Sequence, residues 1–295
     1  MSRLKVLKTY KMYVGGKFIR TESGRFYALK DKKGKPVANF CLGSRKDVRN
    51  TVVAARKAQS GWQERTAFNR SQILYRIAEM LEAQRDQFIA ELQQEGHSAK
   101  KASALVDIAV DRWVYYAGWC DKYSAVFSSV NPVATGHFNF SQPEAQGVVA
   151  VLAPKGPSLV VLTSLIAPVI ASGNSVMYLA HEDFPLSACS FAEVINSSDV
   201  PGGVINILTG KVDELASHMA GHMDINGLWY ALDDTQQLAE LQKIGAENVK
   251  RIYSDLPAKD WEDESWESPY LMVPFTETKT TWHPIENIGG ASSTY

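Results

Sequence analysis

Three cysteines, Cys41, Cys120 and Cys189, are the residues of this chain best suited to act as nucleophiles or soft metal ligands. Their spacing argues against a shared role. They are odd in number and far apart, with no Cys-x-x-Cys pair, so neither a disulfide framework nor a zinc site is indicated. Reduced thiols inside a core are the expected state. His181, Glu182 and Asp183 carry metal-ligand atoms, but neighbours in sequence rarely converge on one ion, and a solvated turn with no metal is expected. Asp233 and Asp234 stand before a helical stretch, where carboxylates satisfy the unpaired amides of a first turn.

The elements that must position these groups follow from hydrophobic period. Between Tyr13 and Cys41, the runs YVGGKF and KDKKGKP are turn signals flanked by short alternating segments, so a small hairpin region is predicted. Ser44 and Asp47 form a capping-box-like start, after which Val48, Val52, Ala55 and Ala58 recur at helical spacing. Ile73, Ile77, Met80, Leu81, Phe88 and Leu92 continue such a face until Gly96. A further helix is predicted from Ala99 to about Tyr123, with Leu105, Ala109, Trp113 and Tyr116 inward.

His137 to Ser141 and Gly147 to Leu152 flank a turn-rich stretch and read as the two arms of a long hairpin. Beyond it, apolar strands near Val148 to Leu152, Ser175 to Leu179, Val204 to Leu208, Gly227 to Tyr230 and Val249 to Tyr253 alternate with helical stretches. That alternation implies parallel pairing through right-handed crossovers, hence an α/β fold with a doubly wound, Rossmann-like sheet. Asp255 to Tyr270 (DLPAKDWEDESWESPY) is acidic and reads as a solvated linker. Tyr270 to Trp282 is rich in β-favouring threonine, and residues 289–295 read as a frayed end.

With 31 Lys and Arg against 32 Asp and Glu, no basic field exists to recruit nucleic acid or anionic lipid. The longest apolar run, Leu159 to Ala171, is interrupted by Thr163, Ser164 and Pro168 and is too short for the ~20 residues that span a bilayer. No nucleic-acid or membrane partner is expected, and with no secretory signal at the start the expected location is cytoplasmic.

Six segments, in the same chain order, resemble those of the aldehyde dehydrogenase family. They are YYAGWCDK (Tyr115 to Lys122), GVVAVLAP (Gly147 to Pro154), IAPVIASGNSV (Ile166 to Val176), PLSA (Pro185 to Ala188), PGGVINILTG (Pro201 to Gly210) and KTTWHP (Lys279 to Pro284). The resemblance implies a cofactor-binding domain from about Met12 to Tyr253, N-terminal helices and a β-hairpin and terminal strand that act as an oligomerisation arm. The family's chemistry uses a cysteine nucleophile, amide donors for the oxyanion, hydride transfer to nicotinamide and a glutamate base.

Compared position by position, that resemblance implies a degraded site. Pro154, Lys155 and Gly156 stand where the family has Pro-Trp-Asn, so the amide side chain is absent. Leu179, Ala180, His181 and Glu182 match Lys-Pro-Ser-Glu, keeping only the glutamate. Leu232 to Gln237 replace the Gly-Ser-Thr-x-x-Gly turn that would receive a pyrophosphate, and the two aspartates there would repel one. Tyr253 to Pro257 (YSDLP) replace the segment bearing the glutamate base, and no segment before the terminal strand carries the nucleophilic cysteine.

The expected organisation is 1–136 for the N-terminal hairpin and helices, 137–152 for the oligomerisation hairpin, 153–254 for the Rossmann-like part, 255–269 for a linker replacing the catalytic domain, and 270–295 for the terminal strand and tail; the alternative for the Trp-bearing Asp260 to Tyr270 is a bridge or cover over the face that domain would leave exposed. No catalytic residue is assigned; Glu182 and Gly210 remain as vestigial cofactor-binding residues. No cofactor is expected beyond weak NAD(P) affinity. The leading reading is a non-catalytic subunit, similar to the second module of two-module family members, that pairs with a full-length aldehyde dehydrogenase chain or with itself through the hairpin and C-terminal strand. Alternatives are a nucleotide or metabolite sensor in the crevice, and an active aldehyde oxidoreductase, for which nucleophile and base are missing.

Overall fold

The computed structural model describes residues 6–31 and 33–285. The stretch 289–295 read as a frayed end lies outside them. In chain order the elements are β1 (Thr9–Tyr10), β2 (Met12–Val14), β3 (Lys17–Ile19), β4 (Phe26–Lys30) and β5 (Pro36–Cys41), then helices α1 (Arg45–Gln63), α2 (Ala67–Ala83), α3 (Arg85–Gln94), α4 (Ala99–Trp119) and α5 (Tyr123–Phe127). Strands β6 (Ser129–Asn131), β7 (His137–Ala145) and β8 (Val148–Leu152) precede the alternating part: α6 (Ser158–Ala171), β9 (Ser175–Ala180), α7 (Leu186–Asn196), β10 (Ile205–Thr209), α8 (Val212–Gly221), β11 (Gly227–Tyr230), α9 (Thr235–Ala246) and β12 (Arg251–Tyr253). Three short 3-10 turns lead into β13 (Thr276–Pro284).

The principal sheet has the order β12-β11-β8-β9-β10-β2-β3, parallel from β12 to β10 and closed at one edge by the antiparallel β2–β3 hairpin. Gly15 and Gly16 turn that hairpin at φ of 61° and 79°, conformations in which a Cβ is penalised. Side chains of alternate residues enter two cores. Val149, Val151, Tyr178 and Trp229 face α2, α4, α6 and α7, whereas Val148, Leu152, Met177 and Tyr230 face the layer of α1, α8 and α9. Helix α6 is buried along its whole length, which explains its nearly continuous apolar sequence. The capping box at Ser44 forms: its hydroxyl accepts from the Asp47 amide while the Asp47 carboxylate accepts from the Ser44 amide.

Two expectations need correction. The segments His137 to Ser141 and Gly147 to Leu152 do not pair with each other. β7 lies between β6 and β13, while β8 enters the principal sheet between β9 and β11. The connection is too short for a hairpin because β7 continues to Ala145, through Pro143; β6 reaches only residues 139–141, so a strand proline is tolerated beside the free flank. The second correction concerns 255–269. Trp261 and Trp266 are buried, followed by buried Leu271, Met272 and Phe275, so the supposed linker is a strap packed on the core. Its acids, including Asp263 and Glu264, lie on the outside and dominate the composition.

Strand β12 is shorter than its apolar run because Val249 adopts φ 57° in the turn after α9, with its side chain 90% exposed. A β-branched residue in the left-handed region is strained, and no packing is lost by removing this side chain. Val249→Gly is therefore expected to raise stability by about 1 kcal/mol. Urea unfolding checks this; an unchanged or lower midpoint would show that the turn is not strained.

Candidate functional site

In an open parallel sheet, ligands bind beyond the carboxyl ends of the strands, where the strand order reverses. Here successive connections run from β8 to β9 to β10, then jump back across β8 to β11. The carboxyl ends of β8 and β11 therefore flank the switch point.

The loop after β8 holds Pro154, Lys155 and Gly156. A Cβ on Gly156 would lie 2.8 Å from Val161 Cγ2 and 3.2 Å from the Trp261 indole. After β9, Glu182 is exposed whereas Leu179 is buried within the sheet. Gly210, after β10, is surrounded by framework: its Cβ would meet Leu215 Cδ1 at 2.8 Å and the Gly43 amide nitrogen at 3.3 Å. The Gly43 amide donates to the Thr209 carbonyl at 2.9 Å, so the close approach of these two loops accounts for a glycine at 210.

After β11, Asp234 is the N-cap of α9 and accepts from the Gln236 and Gln237 amides, each at 2.9 Å. The first-turn donors that could hold a phosphate are thus already engaged by a carboxylate. Gln237 also donates to Asp213 at 3.2 Å and bridges the amino ends of α9 and α8. The Tyr230 hydroxyl donates to the Asp234 carbonyl at 2.8 Å beneath them. Asp255, after β12, is exposed. The three cysteines are free and buried, with Cys120 donating to the Tyr116 carbonyl and Cys41 to that of Tyr10. Burial pushes the Cys120 thiol up to about 12 and raises Cys189 as well, which suppresses the reactive thiolate at neutral pH.

A cleft of about 500 Å³ lies beside the switch point, at the ends of β8, β9 and β10, under the β4–β5 hairpin. Lys155, Glu182, Phe184 and Lys211 line it, with the Lys155 ammonium 5.5 Å from the centre of the Phe184 ring. Glu95 forms its floor. Its carboxylate accepts from the Ser158 amide at 3.3 Å and from the Ser158 hydroxyl, supplying the cap that Pro157 denies to α6. Burial, outweighing these bonds, raises the Glu95 carboxyl to about 7. The unfolded chain ionises near the ordinary ~4.3, so Glu95 lowers stability increasingly as pH rises from there to about 7, with no further loss above. Glu95→Gln is expected to flatten that decline and to stabilise the protein by about 1–2 kcal/mol at pH 8, allowing for partial solvent access. Thermal unfolding of both proteins from pH 5 to 8 checks this, and parallel curves would refute it.

The strap crosses the opposite side of the switch point. Trp261 and Trp266 stack with centroids 4.3 Å apart, and Trp266 continues to Trp229 of β11 at 6.4 Å. Trp229 in turn meets Phe275 at 5.0 Å. From α4, the fully buried Arg112 donates to the Asp263 carbonyl at 3.0 Å and to Ser164 of α6, and the Tyr116 hydroxyl donates to the Trp266 carbonyl at 2.7 Å. Lys101 pairs with Glu262 at the rim. Arg112 escaped the sequence reading; a covering strap was weighed there behind a solvated linker, with the two tryptophans within an acidic run as its signal.

These features define the class as a doubly wound α/β domain with a dinucleotide-type switch point and a separate strand arm. The chain belongs to the aldehyde dehydrogenase family, whose sequence profile matches residues 18–261. It is 31% identical over 267 residues to hydroxyisobutyraldehyde dehydrogenase of Mycolicibacterium austroafricanum, covering 89% of this chain and 50% of that protein. It is 26% identical over 266 residues to cytosolic 10-formyltetrahydrofolate dehydrogenase of Mus musculus, covering 88% of this chain and 29% of that one. The chain therefore spans half or less of the length of these relatives.

Among solved structures, the NAD+ complex of aldehyde dehydrogenase from Bacillus cereus superposes with a TM-score of 0.78 at 24% identity, over 83% of this chain and 50% of that one. Betaine aldehyde dehydrogenase from Staphylococcus aureus in complex with NAD+ gives 0.77 at 21%, over 82% and 48%. At these identities the likeness defines the fold alone. Among the described residues, no helix is long and apolar enough to cross a membrane.

Proposed function

We propose that this chain is a non-catalytic member of the family that assembles with a complete aldehyde dehydrogenase. The observation that carries this reading is the contrast between a filled reaction site and an intact arm. The position matching the family's amide donor is Gly156, closed over by Trp261, and loss of one such donor alone costs a factor of ~100–1000 in turnover. Meanwhile β13 pairs with β7 along its entire length from Thr276↔Ala145 to Pro284↔His137, and its residues from Thr278 onward are exposed. An edge strand with exposed backbone groups favours pairing with another chain. Native mass spectrometry of the tagged chain, purified gently from its own host, tests this. A heteromer containing a ~50 kDa aldehyde dehydrogenase, a two-domain size, is expected; a stable monomer alone would overturn it. The same assembly through a second copy of this chain would appear as a homo-oligomer.

The cleft under β4–β5 favours a second reading, a metabolite sensor in which Lys155, Lys211 and Glu182 would hold a polar ligand. Of the two residues expected to be vestigially cofactor-binding, Glu182 lines this cleft while Gly210 is held by framework packing outside it, and NAD(P) affinity would be weak because Asp234 occupies the helix amides. Calorimetry with NAD, NADP and adenine nucleotides separates the readings. Absence of heat at millimolar ligand would remove the nucleotide form of the sensor.

A further inference from the structure

We infer that residues 260–266 are a built-in occupant of this chain's own ligand crevice, with the Trp261 indole as the group that fills it. The crevice is located by topology, since the carboxyl ends of β8 and β11 bracket the switch point where doubly wound sheets take their ligands. One wall is the loop after β8, where Gly156 lies against the indole so closely that a side chain at 156 would meet it at 3.2 Å. The other is Trp229 of β11, reached through Trp266. Trp261 is 8% exposed and Trp266 is fully buried, so water is excluded from the space between these walls.

The strap is held as a bound ligand is held, by a few directed polar contacts around an apolar anchor. Arg112 and Tyr116, both buried on α4, each direct a donor to a strap backbone carbonyl, at Asp263 and Trp266, rather than to a strap side chain. The Trp266 indole N–H closes the loop on itself through the Asp260 carbonyl at 3.0 Å. Such carbonyl-directed donors fix the path of the chain, and the stacked indoles supply the apolar burial. The crevice is therefore closed from within the same chain, and no segment of a partner needs to complete it. This inference stands whether or not a partner chain is found.

Removing the occupant should leave a vacancy of its shape. Loss of an indole opens a space on the order of 150 Å³, the size that binds a small aromatic molecule in an otherwise dry core. The test uses full-length W261A and wild type in thermal unfolding with added indole. The expected result is a saturable, concentration-dependent rise in midpoint for W261A and none for wild type. Equal shifts in both, or a folded W261A with wild-type midpoint that ignores indole, would overturn the inference. Hydrogen–deuterium exchange on wild type provides an arm that needs no substitution. The amide of the fully buried Trp266, bonded to the Asp263 carbonyl at 3.2 Å, is expected to exchange far more slowly than exposed loops, and exchange at the loop rate would overturn the inference even if W261A does not fold.

Discussion

Trp266→Ala is expected to destabilise the protein by about 3–5 kcal/mol, the range for emptying a well-packed aromatic site. The side chain is fully buried, stacks on Trp261 at 4.3 Å and touches the ring system of Trp229. Its loss removes apolar burial and leaves a hole bounded by rigid neighbours, since α4, α6 and β11 cannot collapse toward it without disturbing the sheet. The Tyr116 hydroxyl would keep its acceptor because it bonds the backbone carbonyl of residue 266, so the cost should come from packing rather than from an orphaned donor. Trp266→Phe, which retains most of the volume, should recover more than half of the loss. Urea unfolding of both variants measures this. If the alanine variant lies within 1 kcal/mol of wild type, on the order of a surface substitution, the strap is not part of the core.

How legible the molecule was depends on period. Apolar runs placed Gly227–Tyr230 and Val148–Leu152 at their observed bounds, and β9 exceeded its predicted run by Ala180 alone. β12 lost its first two predicted residues because Val249 turns left-handed and Lys250 sends its ammonium to the carbonyls of His222 and Ile225. The strap ranked behind a solvated linker for a physical reason. Trp261, Trp266, Leu271, Met272 and Phe275 follow neither a helical nor a strand spacing, and acids between them mimic a solvated segment. Arg112 was hidden similarly. Trp113 and Tyr116 marked the inward side of α4, but a buried guanidinium is intelligible only with its acceptors, one of which is the Asp263 carbonyl far along the chain. At the candidate site, residue identities such as Gly156 and Asp234 could be read in sequence, whereas what fills the space beside them could not.

The second large effect is expected at Asn174, within the IASGN segment. Its fully buried amide brackets three elements: Oδ1 accepts from the Gly147 amide at 2.7 Å before β8, while Nδ2 donates to the Phe275 carbonyl at 2.8 Å and to Ser172 at 2.9 Å at the end of α6. Asn174→Ala would strand the buried Gly147 N–H, whereas the Phe275 carbonyl would keep the Gln146 amide at 3.1 Å. At ~1–3 kcal/mol for an unsatisfied buried group, a loss of roughly 2 kcal/mol is expected. Asn174→Asp retains an acceptor for Gly147 but loses both donors and buries a carboxyl group, so it should not rescue stability. Chemical denaturation of the pair tests the bracket, and a well-tolerated aspartate would show that the donors to Phe275 and Ser172 contribute little.

The placement of β2 beside β10 has a consequence for biosynthesis. Tyr13 is made early and pairs with Phe18 within the hairpin, yet its partner on the other side is Ile207. At about 5–20 residues per second the ribosome takes roughly 10–40 s to deliver that partner. During this interval Met12, Tyr13 and Val14, all buried in the finished sheet, have no β10 to receive them. The nascent β2–β3 hairpin must therefore wait, and the first strand segment translated for the principal sheet bridges the longest interval among the described strands before meeting its second neighbour.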